Sequence, residues 1–373
     1  MQARVILVGG FLGAGKTSLL FEAANKLTVN GKRVGLITND QAPELVDTTF
    51  LERTSGAVKE VSGSCFCCNY DGFTDAILHL IKKQQAEIII AEPVGSCTDL
   101  SATILQPLKA HFGKEFAVSP LTVLVDPKRL SDVLNEENSG LHPSAVYIIC
   151  KQIEEADIIA ISKIDLLTPE EAEDLRIRTA KKWPNTTVLT LSSRTREGLD
   201  EWLKEVTSRD EAGTNLAEVD YDIYAEGEAV LGWLNVTFEL KGTSVNWNSF
   251  AKDLLGALSQ RFDDLNAAVG HVKLIIEAGD DFEDFVIGNL TGKKESLSIR
   301  GNVKNANNSQ VTLSKGKMTL NARVQMEPEK LEKIVLEEVA NACRTDINSK
   351  ILALKCLSPG RPNPTYRYNY VVK

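Results

Sequence analysis

The sequence predicts a two-domain protein. A doubly wound, mostly parallel α/β sheet occupies residues 1–209, an acidic linker 210–229, and a smaller C-terminal α+β (ferredoxin-like) domain 230–373. Three observations carry this. Short apolar runs alternate with amphipathic stretches through the first half, as strands do with the helices that cover them. Gly10-Phe11-Leu12-Gly13-Ala14-Gly15-Lys16-Thr17 stands between the first such run and the first such helix. Beyond residue 232 the order of elements approximates βαββαβ with an additional strand.

The strands of the first domain are expected at 5–8, 33–38, 87–91, 121–125, 157–162 and 187–191, with helical stretches at 75–84, 100–112 and 143–155. Thr168-Pro169-Glu170-Glu171 is a capping box with proline at the first helical position, and opens a helix to about residue 183. Residues 210–228 hold seven acidic side chains and no Lys or Arg, so they read as a solvated connector with a short ordered piece. In the second domain, strands are expected at 233–240, 269–277, 285–290, 296–300, 318–325 and 351–357. Helices are expected at 247–262 and 328–343, and 302–317 reads as a polar loop.

With 373 residues the chain is long enough for two cores. The net charge of -9 argues against a general nucleic-acid or anionic-membrane binder, which needs clustered Lys and Arg. No apolar run approaches the ~20 residues that span a bilayer, and no secretory signal is visible. Seven cysteines, three of them within four positions, suit thiolate chemistry in a reducing compartment better than a disulfide framework. A cytoplasmic protein is expected.

The glycine-rich motif is the phosphate-binding loop of a P-loop NTPase. Its backbone N–H groups and the following helix terminus attract phosphate. Nucleotide contacts are expected from Gly10, Gly13, Ala14, Gly15, Lys16, Thr17 and Ser18, with Lys16 on the β- and γ-phosphates and Thr17 on Mg²⁺. Two further strand ends carry acidic groups where such sheets hold ligands: Asp40 in Thr38-Asn39-Asp40-Gln41, and Glu92 in Glu92-Pro93-Val94-Gly95. Lys16, Asp40 and Glu92 are the catalytic candidates. Thr17, Asp40 and Glu92 are those for Mg²⁺, and the Gly95 N–H is placed to sense the γ-phosphate. Ser162-Lys163-Ile164-Asp165 follows the fifth expected strand. A carboxylate there accepts two N–H groups from guanine, which adenine does not offer, while the lysine stem covers the ring. Ser193, after the sixth strand, is a weaker candidate for base contact.

Cys65, Cys67 and Cys68 in Gly63-Ser64-Cys65-Phe66-Cys67-Cys68 are the candidate ligands of a thiophilic ion such as Zn²⁺. A redox pair of Cys65 with Cys67 or Cys68 is the other use of this spacing. Three sulfurs leave a tetrahedral ion one ligand short, a gap open to water, a partner protein or Asp71. His79 reads as solvated, and Cys97, Cys150, Cys343 and Cys356 as core.

GGFLGAGKT, C-x-C-C, E-x-x-G and [NS]-K-x-D together resemble the CobW family of P-loop GTPases, in the wider group containing the UreG and HypB metallochaperones. The likeness covers roughly residues 1–207. It implies a GTPase that couples GTP and Mg²⁺ to the binding and delivery of Zn²⁺, Co²⁺ or Ni²⁺ to a client metalloprotein or corrinoid (cobalamin) enzyme. It leaves a homodimer open. Asp40 is closer to the UreG side, and no His-rich stretch is present. The competing readings are a GTPase activator of such an enzyme that does not itself transfer metal, and a small-molecule phosphotransferase. The closing segment 358–368, with its Pro, Arg and Tyr residues, reads equally as a docking tail and a packed terminus.

Overall fold

A computed structural model describes residues 2–40, 45–54, 56–137, 140–243, 245–278, 284–292, 297–303 and 313–373. The chain forms two compact units. Unit 1 comprises Met1–Gln41, Thr54–Gly227 and Arg361–Lys373, and unit 2 comprises Ala42–Arg53 and Glu228–Gly360. The division is therefore not contiguous in sequence.

Unit 1 is a parallel sheet built from β1 (Ala3–Gly9), β2 (Val34–Asp40), β3 (Ala57–Ser62), β4 (Ile88–Glu92), β5 (Phe116–Val118), β6 (Thr122–Val125), β7 (Ile158–Ile161) and β8 (Thr187–Thr190). The strand order is β3-β2-β4-β1-β6-β7-β8, with β5 beside β1. Strands such as Ile88–Glu92 and Ile158–Ile161 are buried along their whole length, as a sheet covered on both faces requires. The covering helices begin with α1 (Lys16–Val29). After α2 (Val46–Leu51), which belongs to unit 2, they continue with α3 (Tyr70–Gln84), α4 (Gln106–Phe112), α5 (Pro127–Asn135), α6 (Pro143–Glu154), α7 (Pro169–Lys182), α8 (Leu199–Ser208) and α9 (Tyr221–Ala229). The expected capping box closes reciprocally between Thr168 and Glu171 at the start of α7.

Two strands escaped the sequence reading. β3 extends the sheet beyond β2, so the cysteine loop follows the third strand and Glu92 ends the fourth. Its residues are half-buried and mixed in polarity, which hid it. β5 is three residues long, too short to register as a period. Residues 210–220, expected to be solvated, are instead fastened to unit 1. The Asp157 carboxylate accepts the N–H groups of Gly213 and Thr214 at 2.6 and 2.8 Å, and Ala212 and Ala217 are buried. Backbone hydrogen bonds, invisible in an acidic composition, hold this stretch down.

Unit 2 is an antiparallel sheet of β9 (Gly232–Thr243), β10 (Val269–Ala278), β11 (Phe285–Leu290), β12 (Ser298–Asn302), β13 (Leu313–Val324) and β14 (Ile347–Leu357), in the order β12-β11-β10-β13-β9-β14. Four of these strands, with α10 (Trp247–Asp264) and α11 (Pro328–Cys343), make the split βαβ pattern of a ferredoxin-like sandwich, and β11–β12 is a hairpin added at one edge. The helices bury Trp247, Phe250, Leu254, Phe262, Ile334 and Val335 against one sheet face. Two boundaries moved: β13 starts at Leu313, paired with Thr243, and β14 starts at Ile347, paired with Gly242. The long ladder to β9 recruits polar residues that carry no strand signal of their own. Most of the expected loop 302–317, and the first residue of the strand expected at 296–300, lie outside the described residues.

α2, between β2 and β3 in the chain, packs within unit 2. Val46 N–H donates to Asn321 Oδ1 at 2.9 Å, Lys273 pairs with Asp47 at 2.7 Å and Arg53 with Glu277 at 3.0 Å. Among the described residues no helix is long and apolar enough to cross a membrane.

Candidate functional site

The ends of the parallel strands carry every candidate residue of unit 1, and the strand order arranges them in space. β1 in the middle runs into the phosphate loop. On one side follow the ends of β4 (Glu92), β2 (Asp40) and β3 with the cysteines; on the other stand those of β6, β7 and β8 with the candidate base loop.

Gly10, Gly13 and Gly15 all adopt positive φ, at 127°, 80° and 96°. A Cβ on Gly10 would sit 2.2 Å from Leu124 O, so only glycine fits there. Helix α1 is N-capped by Gly15 with no side-chain cap and no acidic residue in its first turn, the arrangement that favours an anion at a helix N-terminus. Lys16, Thr17, Asp40 and Glu92 are all less than a tenth exposed. The Lys16 ammonium donates to Gly10 O at 2.8 Å and stands 3.7 Å from Glu92 Oε1; the Thr17 hydroxyl donates to the same oxygen at 3.2 Å. A Cβ on Gly95 would lie 2.6 Å from Leu12 Cδ2, so the loop after Glu92 lies against the phosphate loop.

On the other flank, Lys163 takes a left-handed conformation (φ 55°) and its ammonium donates to Asp126 Oδ2 at 2.9 Å. Burial disfavours ionisation of Asp126, but Lys163 and Arg129 outweigh it and hold the carboxyl below its usual range. Asp165 Oδ1 accepts from Ser192 Oγ at 2.6 Å, and buried Ser162 donates to Val125 O at 3.2 Å. Ser193, the sequence candidate, is half-buried between Ser192 and Arg194, the two residues that meet Asp165, Arg194 at 3.7 Å from Asp165 Oδ2. Asp126 escaped the sequence reading, although an acidic residue at a strand end before Pro127 was a legible signal.

The three sulfurs come together on the loop between β3 and α3. Cys65 Sγ lies 3.1 Å from both Cys67 Sγ and Cys68 Sγ, which are 3.8 Å apart. The turn is set by the N–H groups of Cys68 and Asn69, both donating to Cys65 O, and by Asn69 capping α3 at Gly72. Phe66 is wholly buried and stacks on Phe73 at 4.0 Å. Hydrogen bonds from Cys67, Cys68 and Cys97 pull the Cys65 thiol well below its ordinary range. The same bonds push Cys67 up, and Cys68 up to about 11. Cys97, read from sequence as core, is buried and also a neighbour of Cys65. Among the described residues the group that closes within 4.8 Å contains the three cysteines alone; Asp71 is exposed on α3 and His79 half-buried further along it.

The strand spacing sets the distance between this cluster and the phosphate loop. β1 and β3 are three strand positions apart, about 14 Å at ~4.8 Å per strand, too far for direct contact. Asn39 spans the last step. Its Nδ2 donates to Val61 O at 2.7 Å and Ser64 O at 2.8 Å, its Oδ1 accepts Phe66 N–H at 2.9 Å, and the Asp40 carbonyl accepts Gly63 N–H at 3.1 Å.

Residues 4–190 match the model of the CobW/HypB/UreG nucleotide-binding domain. The chain belongs to the CobW/HypB/UreG family. Within that family, the zinc chaperone YjiA of Escherichia coli (strain K12) is 27% identical over 183 residues, 48% of this chain and 54% of that protein. The zinc chaperone YeiR of the same organism is 27% identical over 177 residues, 47% and 51%. The zinc chaperone CobW of Pseudomonas aeruginosa is 26% identical over 220 residues, 51% and 56%. The chain thus spans about half the length of the curated relatives it matches. The crystal structure of Zn(II)-bound YjiA GTPase from E. coli aligns over 91% of this chain and 99% of that one, at 16% identity and a TM-score of 0.36, too low to superpose one site on the other.

Proposed function

We propose that the chain is a GTP-hydrolysing metallochaperone: it couples a GTP cycle at the phosphate loop to binding and delivery of Zn²⁺, or Co²⁺ or Ni²⁺, held by Cys65, Cys67 and Cys68. The observation that carries this is the hydrogen-bonded bridge from Asn39, next to the Mg²⁺ candidate Asp40, to both sides of the cysteine loop. The family membership and the zinc chaperones among its relatives support the same reading.

The donor set fits a triphosphate with Mg²⁺. A buried ammonium, a threonine hydroxyl and the Glu92 carboxylate converge beside an uncapped helix terminus, and buried Asp40 ends the neighbouring strand β2. Mg²⁺ bound there would supply charge neutralisation between the β- and γ-phosphates. Lys16 would leave its contact with Gly10 O for phosphate oxygens and stabilise charge on the transferring group. Asp40 or Glu92 would orient the attacking water. Asp165, braced by Ser192, would accept the guanine N–H pair, and Lys163 would lie along the ring.

The cargo ion would be gripped by three sulfurs. Tetrahedral zinc needs sulfurs about 3.8 Å apart, so two of the three edges must open by about 0.7 Å. A shift of Asp40 on gain or loss of the γ-phosphate would pass through Asn39 to that triangle and change its grip. The client is a metalloprotein that receives the ion.

GTP turnover by the full chain, measured with Zn²⁺, Co²⁺, Ni²⁺ and no added ion, tests this. A rate that changes with at least one ion, and loses that response when all three cysteines become serine, supports coupling. A rate indifferent to every ion rules it out.

A further inference from the structure

We propose that segment 361–368 is part of the metal site: a latch that positions Cys67 and Cys68 from outside and slows the escape of the ion. This rests on the cysteine triad being the metal site. The segment has no helix or strand of its own, yet it is fastened to unit 1 at successive positions. Asn363 N–H donates to Cys68 Sγ at 3.3 Å and Thr365 N–H to Cys67 O at 2.8 Å. The Tyr366 ring meets Tyr70 edge-on at 5.1 Å, on the first residue of the helix that follows the cysteines. The Arg367 guanidinium donates to both oxygens of Asp99, at 2.6 and 3.4 Å, and to Ala217 O at 3.2 Å.

Asp99 gives the latch a second grip. It is 1% exposed, holds a left-handed backbone (φ 66°) and also accepts from Tyr221 Oη at 2.7 Å. It lies two residues beyond Cys97, the neighbour of Cys65, on the loop that begins at Glu92 and Gly95. The segment therefore bridges the loop that carries the sulfurs and the loop that leaves the phosphate site. One main-chain contact on the Cys68 sulfur and one on the Cys67 carbonyl cover this end of the cysteine loop, and proline at 362 and 364 stiffens the strap between its anchors. Pro362 is buried against the protein. A movement of the loop after Gly95 would pull on Arg367 and lift the latch, opening the ion to a client.

The test uses the full chain with Asn363→Pro, which deletes the N–H on Cys68 inside a proline-flanked stretch, and with Arg367→Ala, which frees the second grip. Arg367→Lys is the conservative partner. Metal-free, reduced protein is alkylated with iodoacetamide and each cysteine is followed by peptide mass. Zinc-loaded protein is mixed with a chromophoric chelator. Alkylation of Cys68 is expected to rise about fivefold in the first two variants, the weight of one net hydrogen bond, and to fall back toward the parent in Arg367→Lys. Zinc release should accelerate by a similar factor, with the affinity for a fluorescent GDP analogue unchanged. Unaltered Cys68 alkylation in both variants overturns the latch. So does an acceleration shared equally by Cys150, which would mean a loosened unit 1. If the parent takes up no zinc, the metal reading fails, and the alkylation arm still decides the latch.

Discussion

The carboxamide of Asn39 holds the N–H of Phe66 at 2.9 Å, joining the end of β2 to the middle of the cysteine loop. Because the same side chain also donates to Val61 O and Ser64 O, the loop is gripped on both sides of Cys65 by the residue that precedes Asp40. Under the proposed coupling, a side chain whose polar atoms are all engaged is the one that would pass a small displacement of β2 to the cysteines.

Asn39→Ala should therefore uncouple the two sites. It leaves an N–H and two carbonyls without this partner, at about 1–3 kcal/mol for each group that stays unsatisfied. Zinc affinity, read by chelator competition, is expected to fall at least about tenfold. The ion's effect on GTP turnover should vanish while GDP affinity holds. An equal loss of GDP affinity would make Asn39 a support of the whole fold instead.

Lys16→Ala and Asp165→Ala should fail in complementary ways. Removing the buried ammonium is expected to weaken GTP binding at least about tenfold, the scale of a charge-assisted hydrogen bond, with the preference for guanine over adenine kept. Removing the carboxylate braced by Ser192 should collapse that preference and spare the phosphate contribution. Competition of GTP, GDP and ATP against a fluorescent nucleotide separates the two patterns.

Metal uptake should release protons. Mutual hydrogen bonding and burial push Cys67 up and Cys68 up to about 11, so both hold their protons near neutrality, while the Cys65 thiol is drawn down. Binding must displace both, so zinc affinity should rise with pH, with about two protons released per ion near neutrality. Calorimetry in buffers of different ionisation enthalpy counts them. A release near zero would mean that the triad is not the site.

Buried Glu155 makes the fold itself sensitive to pH. Burial pushes its carboxyl up to about 8 although Ser101 N–H and Thr98 Oγ1 both donate to it, at 2.8 and 3.1 Å. The native state keeps a proton that the unfolded chain loses near the ordinary value of 4.5, so stability should fall as pH rises through the interval between them, by about 1.4 kcal/mol per unit. Glu155→Gln, neutral throughout, should flatten thermal melting over that interval. A slope that survives the substitution would assign the effect to another group.

The motifs were legible because each is local. The phosphate loop, the acidic strand ends, Ser162–Asp165 and the cysteine cluster are short strings whose chemistry follows from residue type and spacing, and buried parallel strands announce themselves as unbroken apolar runs. β3 and the start of β13 were not, because their residues become strand only through pairing with β2 and β9.

The sequence by itself determined the class of sheet, the nucleotide loop and the three sulfurs. Only the tertiary structure decided which partners they meet: Asn39 on Phe66, Ser192 on Asp165, Cys97 beside Cys65, and segment 361–368 on the cysteine loop. Those pairs lie 27, 27, 32 and 295 residues apart in the chain. Residue type and spacing specify what one short stretch can do chemically. Which strand ends stand side by side follows from the order β3-β2-β4-β1-β6-β7-β8, a property of the packed sheet that no single stretch contains.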